Sequence, residues 1–256
     1  MLDRRHALQA FADYAAHYNA EDPKIKLKID HTYRVAALCD RIAASLGLSP
    51  ADIDLAWLCG ILHDVGRFEQ LRQYGTFNDA ESIDHAAMSA RVLFDEGQIR
   101  AYLEDTATDD LLRTAVAWHS AYRLPETLDE RTRQFCQILR DADKIDILRV
   151  NVEVPMEEIY NVSTEELRQS PVSPAVVDAF YEHHCVLRSL KHHPADNAVG
   201  HASLVFELCY PESLRAVAQQ GWLWKLLAFP TDNAETAQTF ARLRTEMQHW
   251  LDEHLA

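Results

Sequence analysis

Four histidines and two aspartates fall on or beside the apolar faces of predicted helices, at most one cluster to a helix. These residues are His31, His63, Asp64, His85, His119 and Asp143. An imidazole or a carboxylate that is buried without a partner costs several kcal/mol. Six such groups in otherwise cleanly patterned helices therefore predict one shared metal site, since imidazole nitrogens and carboxylate oxygens are common ligands of divalent transition metals.

Helical spacing predicts which way these side chains face. In four predicted helices the candidate ligand belongs to an apolar series with steps of about three or four residues, which is one face of an α-helix. The series are His31, Val35, Leu38 and Ile42; His85, Met88 and Val92; Leu112, Ala115, Val116 and His119; and Cys136, Leu139, Asp143 and Ile147.

The adjacent His63 and Asp64 lie in the most apolar stretch of the chain. We predict one central helix there, which starts at an N-cap on Ser49 with Pro50 in its first turn and carries apolar residues from Ile53 to Phe68. Neighbouring helical residues point about 100° apart, so both side chains can reach a metal against their side of the helix. They could bind one ion, or Asp64 could bridge two.

Composition narrows the class of protein. A chain of 256 residues with 48% apolar residues can bury a sizeable core, and we predict an all-α fold with Val150 to Val154 as the best strand candidate. The net charge of −15 argues against binding long nucleic acids, because no block of basic residues would neutralise a phosphate backbone. The absence of a long apolar segment predicts a cytoplasmic protein that does not enter a membrane.

Two regions are expected along the chain. Residues 1–150 form the metal-binding helical core, with all motifs between residues 28 and 148, and residues 151–256 form a helical extension packed on it as one compact unit. The extension is predicted to contain helices near Pro174–Leu190, Pro194–Leu208, Glu212–Leu227 and Asn233–His254. The oligomeric state is left open, with a homo-oligomer among the alternatives.

The placement of His31, of His63-Asp64 within residues 58–66, and of the later Asp143 resembles the HD-domain superfamily of metal-dependent phosphohydrolases. The similarity covers about Lys28 to Leu148. The additional His85 and His119 resemble the dinuclear branch, in which added histidines complete a second metal position. The resemblance implies a helical HD bundle with His31, His63, Asp64, His85, His119 and Asp143 as metal ligands.

A pair of divalent cations ~3.5–4 Å apart can share a hydroxide and polarise a phosphoryl group. We therefore expect hydrolysis of a phosphate ester or anhydride, as by a phosphomonoesterase, phosphodiesterase or nucleotidase, by a metal-activated hydroxide. The substrate is a nucleotide or another small phosphorylated metabolite. Four imidazoles with two carboxylates favour Mn²⁺ or Fe²⁺, with Co²⁺, Ni²⁺ or Zn²⁺ as alternatives, over Mg²⁺.

Three cations are candidates for holding the substrate phosphate. Arg67 follows Asp64 by three residues, so we expect it on the same face and assign it, with Asp64, to the catalytic site. Arg67 could instead pair with the carbonyls that end its helix. Lys144 and Arg34 are weaker candidates for substrate binding, and residues 69–80 are expected to form the rim of the pocket.

Two other functions stay open on the sequence alone. Some HD-fold proteins resemble this one in using four histidines and two aspartates for a di-iron centre that activates dioxygen, so an oxygenase acting on a small polar substrate is the main alternative. A silent binding module is harder to reconcile with six candidate ligands. The histidines at positions 183, 184, 192, 193 and 201 lack metal-ligand spacing and predict no second metal site.

Overall fold

The computed structural model describes residues 2–255, and this part of the chain is helical with no β-strand, which confirms the all-α prediction. Short 3₁₀ or π turns connect several of the helices. The α-helices are α1 Arg4–Ala15, α2 Pro23–Ser45, α3 Pro50–Leu62, α4 Val65–Tyr74, α5 His85–Ala90, α6 Asp109–Trp118, α7 Glu130–Glu153, α8 Met156–Tyr160, α9 Thr164–Gln169, α10 Pro174–Tyr181, α11 Pro194–Ala202, α12 Pro211–Gln220, α13 Trp222–Leu227 and α14 Ala234–Leu255.

The helix boundaries around α2 and α3 follow local signals in the sequence. Helix α2 is followed by Gly47 at φ +67°, a conformation that only glycine adopts without strain. Helix α3 then starts as predicted, with the Ser49 side chain accepting a hydrogen bond from the Asp52 amide and Pro50 in the first turn.

The predicted central helix from Ile53 to Phe68 is wrong in one respect, because it is broken at the candidate ligands. Helix α3 ends at Leu62 and helix α4 begins at Val65. Asp64 between them has φ −110° and ψ 15°, outside the helical region. The apolar pattern continues across the break and therefore conceals it. The break lets His63 and Asp64 point into the site from the facing ends of two helices.

Three other local expectations are corrected by the structure. The strand candidate at Val150 is instead helical, with residues 150–153 forming the end of α7, since a helix that is already established overrides the strand preference of valine. The predicted helix Pro174–Leu190 ends at Tyr181, and His183 follows with a positive φ of 57°. The third predicted C-terminal helix is divided into α12 and α13 by Gly221 at φ +70°.

Two glycines let the helices around the site pack closely. A Cβ atom on Gly60 of α3 would lie 2.5 Å from the Cα atom of Ala36 on α2. A Cβ atom on Gly66 of α4 would lie 2.4 Å from the Ser89 nitrogen on α5, and the Gly66 amide donates to Ser89 Oγ at 2.9 Å. Both contacts exclude a larger residue, so they set the spacing of α2, α3, α4 and α5 around residues 63 and 64.

The chain divides into two compact units between Asp143 and Lys144. The first unit contains the candidate metal ligands, and its core includes Phe11, Leu58 and Leu112. The second unit has its own core, with Phe180 and Leu226. The packing of residues 151–256 on the core stays a prediction. None of the described helices is long and apolar enough to cross a membrane.

Candidate metal centre

The structure brings the six predicted ligands together inside the first unit. All six are buried, and the most exposed, Asp143, has only 9% of its surface accessible. The ligand atoms of five of them, all except Asp143, form two groups that share one residue. The groups are His31, His63 and Asp64, and Asp64, His85 and His119, with the atoms of each group within 4.8 Å of one another.

Asp64 presents a different carboxylate oxygen to each pair of histidines. Its Oδ2 atom lies 3.6 Å from His31 Nε2 and 3.5 Å from His63 Nε2. Its Oδ1 atom lies 3.6 Å from His85 Nε2 and 3.7 Å from His119 Nε2. This arrangement favours the bridging alternative for Asp64, because a bridging carboxylate must offer one oxygen to each ion.

Three of the histidines are oriented by acceptors on their outer nitrogens. His63 Nδ1 lies 2.7 Å from the Gly60 carbonyl, and His119 Nδ1 lies 2.7 Å from the Val116 carbonyl. His85 Nδ1 lies 2.6 Å from Asp79 Oδ2. Because these oxygens can only accept, each Nδ1 carries the hydrogen and each Nε2 presents its lone pair to the centre.

The facing ring nitrogens have the spacing of ligands on a common ion. His85 Nε2 lies 3.0 Å from His119 Nε2, and His63 Nε2 lies 3.3 Å from His31 Nε2. Two nitrogens that are each about 2.1 Å from one ion and at right angles lie about 3.0 Å apart. Burial lowers the pKa of His63 to about 3 and lowers that of His85, so these two rings are neutral. Neutral rings with converging lone pairs fit a bound cation.

The two carboxylates are charged, and Asp64 is incompletely satisfied. Asp143 Oδ1 lies 3.1 Å from His31 Nε2. Burial is the largest single effect and raises the pKa of Asp143, but the hydrogen bond with His31 and the charges of the neighbouring histidines together lower it below its usual range, so the group stays ionised. Asp64 Oδ1 is buried and has no hydrogen-bond partner among the described residues. An orphaned carboxylate oxygen is costly, and a metal ligand role would satisfy it.

Lys28 belongs to this centre, and the sequence reasoning missed it. Its Nζ atom lies 2.7 Å from Asp64 Oδ2. Burial raises the pKa of Asp64, but the charge of Lys28 is the largest opposing effect, and the net pKa lies well below the usual range. The signal was available, because Lys28 precedes His31 by one helical turn and therefore shares its face.

Asp79 is the second residue that sequence reasoning did not identify. It lies in a 3₁₀ turn, Asp79–Glu81, that begins within the predicted rim segment 69–80. One oxygen of Asp79 orients His85, and the other accepts from Arg67 Nη1 at 2.7 Å. Burial raises the pKa of Asp79, whereas the hydrogen bond with His85 and the charge of Arg67 lower it. The net pKa lies below the usual range, so the group is ionised. Asp79 therefore orients the candidate ligand His85 through the ring nitrogen that faces away from the centre.

Arg67 lies beside Asp64, where the sequence predicted it. Its Nη1 atom donates to the Phe77 carbonyl, to Gln70 Oε1 and to Asp79 Oδ1 at 2.7–2.8 Å. Its Nε atom is buried 3.7 Å from Asp64 Oδ1 and has no acceptor among the described residues. The guanidinium is thus anchored on one side and has a free donor on the side of the centre.

The other two candidate substrate cations lie on the long helices. Arg34 is half-buried on α2 with Nη2 inside the protein. Lys144 Nζ donates to the Glu207 carbonyl at 3.3 Å, within the second unit. Substrate binding by either residue stays a prediction.

Residues 29–148 match the family model described as HD domain. This range begins two residues before His31 and ends five residues after Asp143, so it contains all six converging residues. Residues 29–148 form an HD domain. The HD-domain superfamily includes metal-dependent hydrolases, among them phosphohydrolases. Comparison with curated proteins and with solved structures found no match to this chain.

Proposed function

We propose that this protein is a phosphohydrolase with two divalent metal ions, acting on a phosphate ester or anhydride of a nucleotide or another small phosphorylated metabolite. The observation that carries the proposal is the position of Asp64, with one oxygen toward His31 and His63 and the other toward His85 and His119. The match of residues 29–148 to the HD domain supports a metal-dependent hydrolase, and the shared carboxylate supports two ions rather than one.

The donor set of the centre fits such ions. His31, His63, Asp143 and Asp64 Oδ2 would hold one, and His85, His119 and Asp64 Oδ1 would hold the other. Bound divalent ions would supply Lewis acidity and activate a water molecule for attack on phosphorus. The nitrogen-rich ligands favour Mn²⁺ or Fe²⁺, with Co²⁺, Ni²⁺ or Zn²⁺ as alternatives, because Mg²⁺ prefers oxygen ligands.

Two cations beside Asp64 suit an anionic substrate. Arg67 presents its free Nε to the centre, and its Nη1 is locked by three acceptors, so little side-chain entropy is lost when it binds a phosphoryl oxygen. Lys28 adds an ammonium group next to the same carboxylate. Both charges lie near the Phe77 ring, at 5.5 Å for Lys28 and 5.7 Å for Arg67. These contacts support Lys28 and Arg67 as the groups that hold and orient the phosphate.

The test is phosphate release from a panel of nucleotides and phosphorylated metabolites, with purified protein and added Mn²⁺, in air and under anaerobic conditions. We expect metal-dependent hydrolysis of at least one compound at the same rate with and without oxygen. Turnover that requires iron and consumes oxygen would assign the centre to the di-iron oxygenase alternative.

A matched pair of variants connects this activity to the centre. Asp64→Asn removes the shared charge, so we expect loss of metal and of turnover with retention of the helical circular dichroism signal. Asp30→Asn makes the same change at an exposed position on α2 and should leave both unchanged. Full metal occupancy in Asp64→Asn would contradict the bridging role.

A further inference from the structure

A second group of polar and basic residues lies in the second unit. Here a cleft of about 290 Å³ is lined by Tyr160, Arg188, Lys191, His192, His193 and Asn197, together with two apolar residues. We refer to it as the basic cleft. No carboxylate lines it, although acidic residues outnumber basic ones by 40 to 25 in the whole chain.

Lys191 is the central observation. Its side chain packs against Gly200 of α11, where an added Cβ would lie 2.4 Å from both Cε and Nζ. Burial, and to a smaller extent the charge of Arg188, lower the pKa of Lys191. Among residues 2–255, no side chain or carbonyl accepts a hydrogen bond from its Nζ atom. Lys191 is only partly buried and lines the cleft close to the like charge of Arg188, so its ammonium group can donate to an anion that enters the cleft.

The charge of Asp196 opposes the lowering of the Lys191 pKa only in part, and its carboxylate is engaged elsewhere. Asp196 is fully buried, and its two oxygens accept hydrogen bonds from Ser173 N, Ser173 Oγ, His192 N and His193 N. These bonds tie the carboxylate to the backbone that carries the two histidines. Asp196 thus shapes the wall of the basic cleft and leaves the Lys191 charge without an ion-pair partner.

Tyr160 gives the basic cleft a fixed polar group. Its hydroxyl lies 3.2 Å from Nδ1 of the half-buried His201, and the two rings are stacked. Burial, assisted by the charge of Lys191, lowers the pKa of His201 to about 3, so His201 is neutral and acts as a structural partner. His192 and His193 line the basic cleft without forming a metal-binding group with other described residues. Their imidazole rings add possible hydrogen-bond donors to the wall of the basic cleft.

We propose that the basic cleft binds a small phosphorylated compound through its phosphate, as a ligand site separate from the metal centre. An ammonium, a guanidinium and two imidazoles offer donors from several directions, which suits a compact anion with several oxygens. The volume of the cleft suits a small molecule and excludes a polymer from being enclosed. The proposal rests on the second unit alone and does not depend on the activity of the HD domain.

The experiment measures pyrophosphate and inorganic phosphate binding to the full-length protein by calorimetry and thermal shift, with a chelator present and with chloride at equal ionic strength as the reference. We expect pyrophosphate to bind the wild type and to bind Lys191→Met at least tenfold more weakly. Lys225→Met removes an exposed lysine of the same unit and should bind like the wild type. Methionine retains the packing on Gly200, so Lys191→Met should be as stable as the wild type without ligand.

Two further variants make the outcome decisive. His193→Gln, a milder change in the basic cleft, should also weaken pyrophosphate binding. Asp64→Asn should leave it unchanged, which separates this site from the metal centre. The proposal is overturned if the wild type binds no pyrophosphate in excess of the chloride reference, if Lys191→Met binds as tightly as the wild type, or if Asp64→Asn abolishes binding.

Discussion

Replacing Lys28 with methionine should destabilise the metal-free protein against unfolding and increase its affinity for metal. Lys28 Nζ lies 2.7 Å from Asp64 Oδ2, and the side chains are 17% and 2% exposed. Removing one partner of a buried ion pair costs about 3–5 kcal/mol. Because Lys28 is partly exposed, we expect the lower end, about 3 kcal/mol of unfolding free energy for Lys28→Met without metal.

The metal-bound protein should be affected much less. Divalent ions held by Asp64 would supply the positive charge that this carboxylate needs, and they would repel the Lys28 ammonium. Because the substitution destabilises the metal-free form more than the metal-bound form, the variant should bind metal more tightly than the wild type. A difference of about 3 kcal/mol corresponds to about 100-fold in the dissociation constant, and we expect at least tenfold.

The assay combines Mn²⁺ titration by calorimetry with urea unfolding in the presence of a chelator or of saturating Mn²⁺. Lys26→Met is the control, because Lys26 is exposed on the same helix. We expect Lys26→Met to match the wild type in both measurements. If Lys28→Met unfolds like the wild type without metal, or binds Mn²⁺ more weakly, then Lys28 does not compensate the charge of Asp64.

The same geometry leads to three other predictions. The double variant His85→Ala, His119→Ala should retain about one metal ion per chain by elemental analysis and lose most turnover, and retention of two ions would show a structural role for these histidines. Arg67→Ala should keep its metal content but lose ~10-fold or more in kcat/KM, since a charge-assisted hydrogen bond contributes about 1.5–3 kcal/mol. Arg67→Lys should recover only part of this loss. Wild-type kinetics in both variants would exclude a contact between Arg67 and the phosphate. In the presence of a chelator, the free energy of unfolding should be highest above pH ~6.5 and should fall as the pH drops toward ~3. The reason is that His63 and His201 have a pKa of about 3 in the folded protein, so the unfolded chain binds these protons at a higher pH than the folded chain does. Each of the two histidines should lower the free energy of unfolding by about 1.4 kcal/mol per pH unit in this range. Urea unfolding across this range should show a smaller slope for His201→Gln, and an unchanged slope would mean that His201 is charged in the folded protein.

The sequence by itself determined the helical class and the convergence of six side chains on one centre. The reason is that apolar periodicity reports which face of a helix is buried, and buried imidazoles and carboxylates require partners. His31 and Asp143 lie more than 100 residues apart, yet both could be placed inside because each continues an apolar series on its own helix.

Only the tertiary structure decided which atoms meet. Periodicity predicts the face of a helix but not the partner across it, so the contact of Lys28 with Asp64 and the break between α3 and α4 were not foreseen. Asp79 lies in a turn that is too short to show an apolar periodicity. Its contact with His85 depends on how α4 and α5 pack at Gly66. Likewise, each Asp64 oxygen faces a different pair of histidines only because folding brings together the helices that carry these residues.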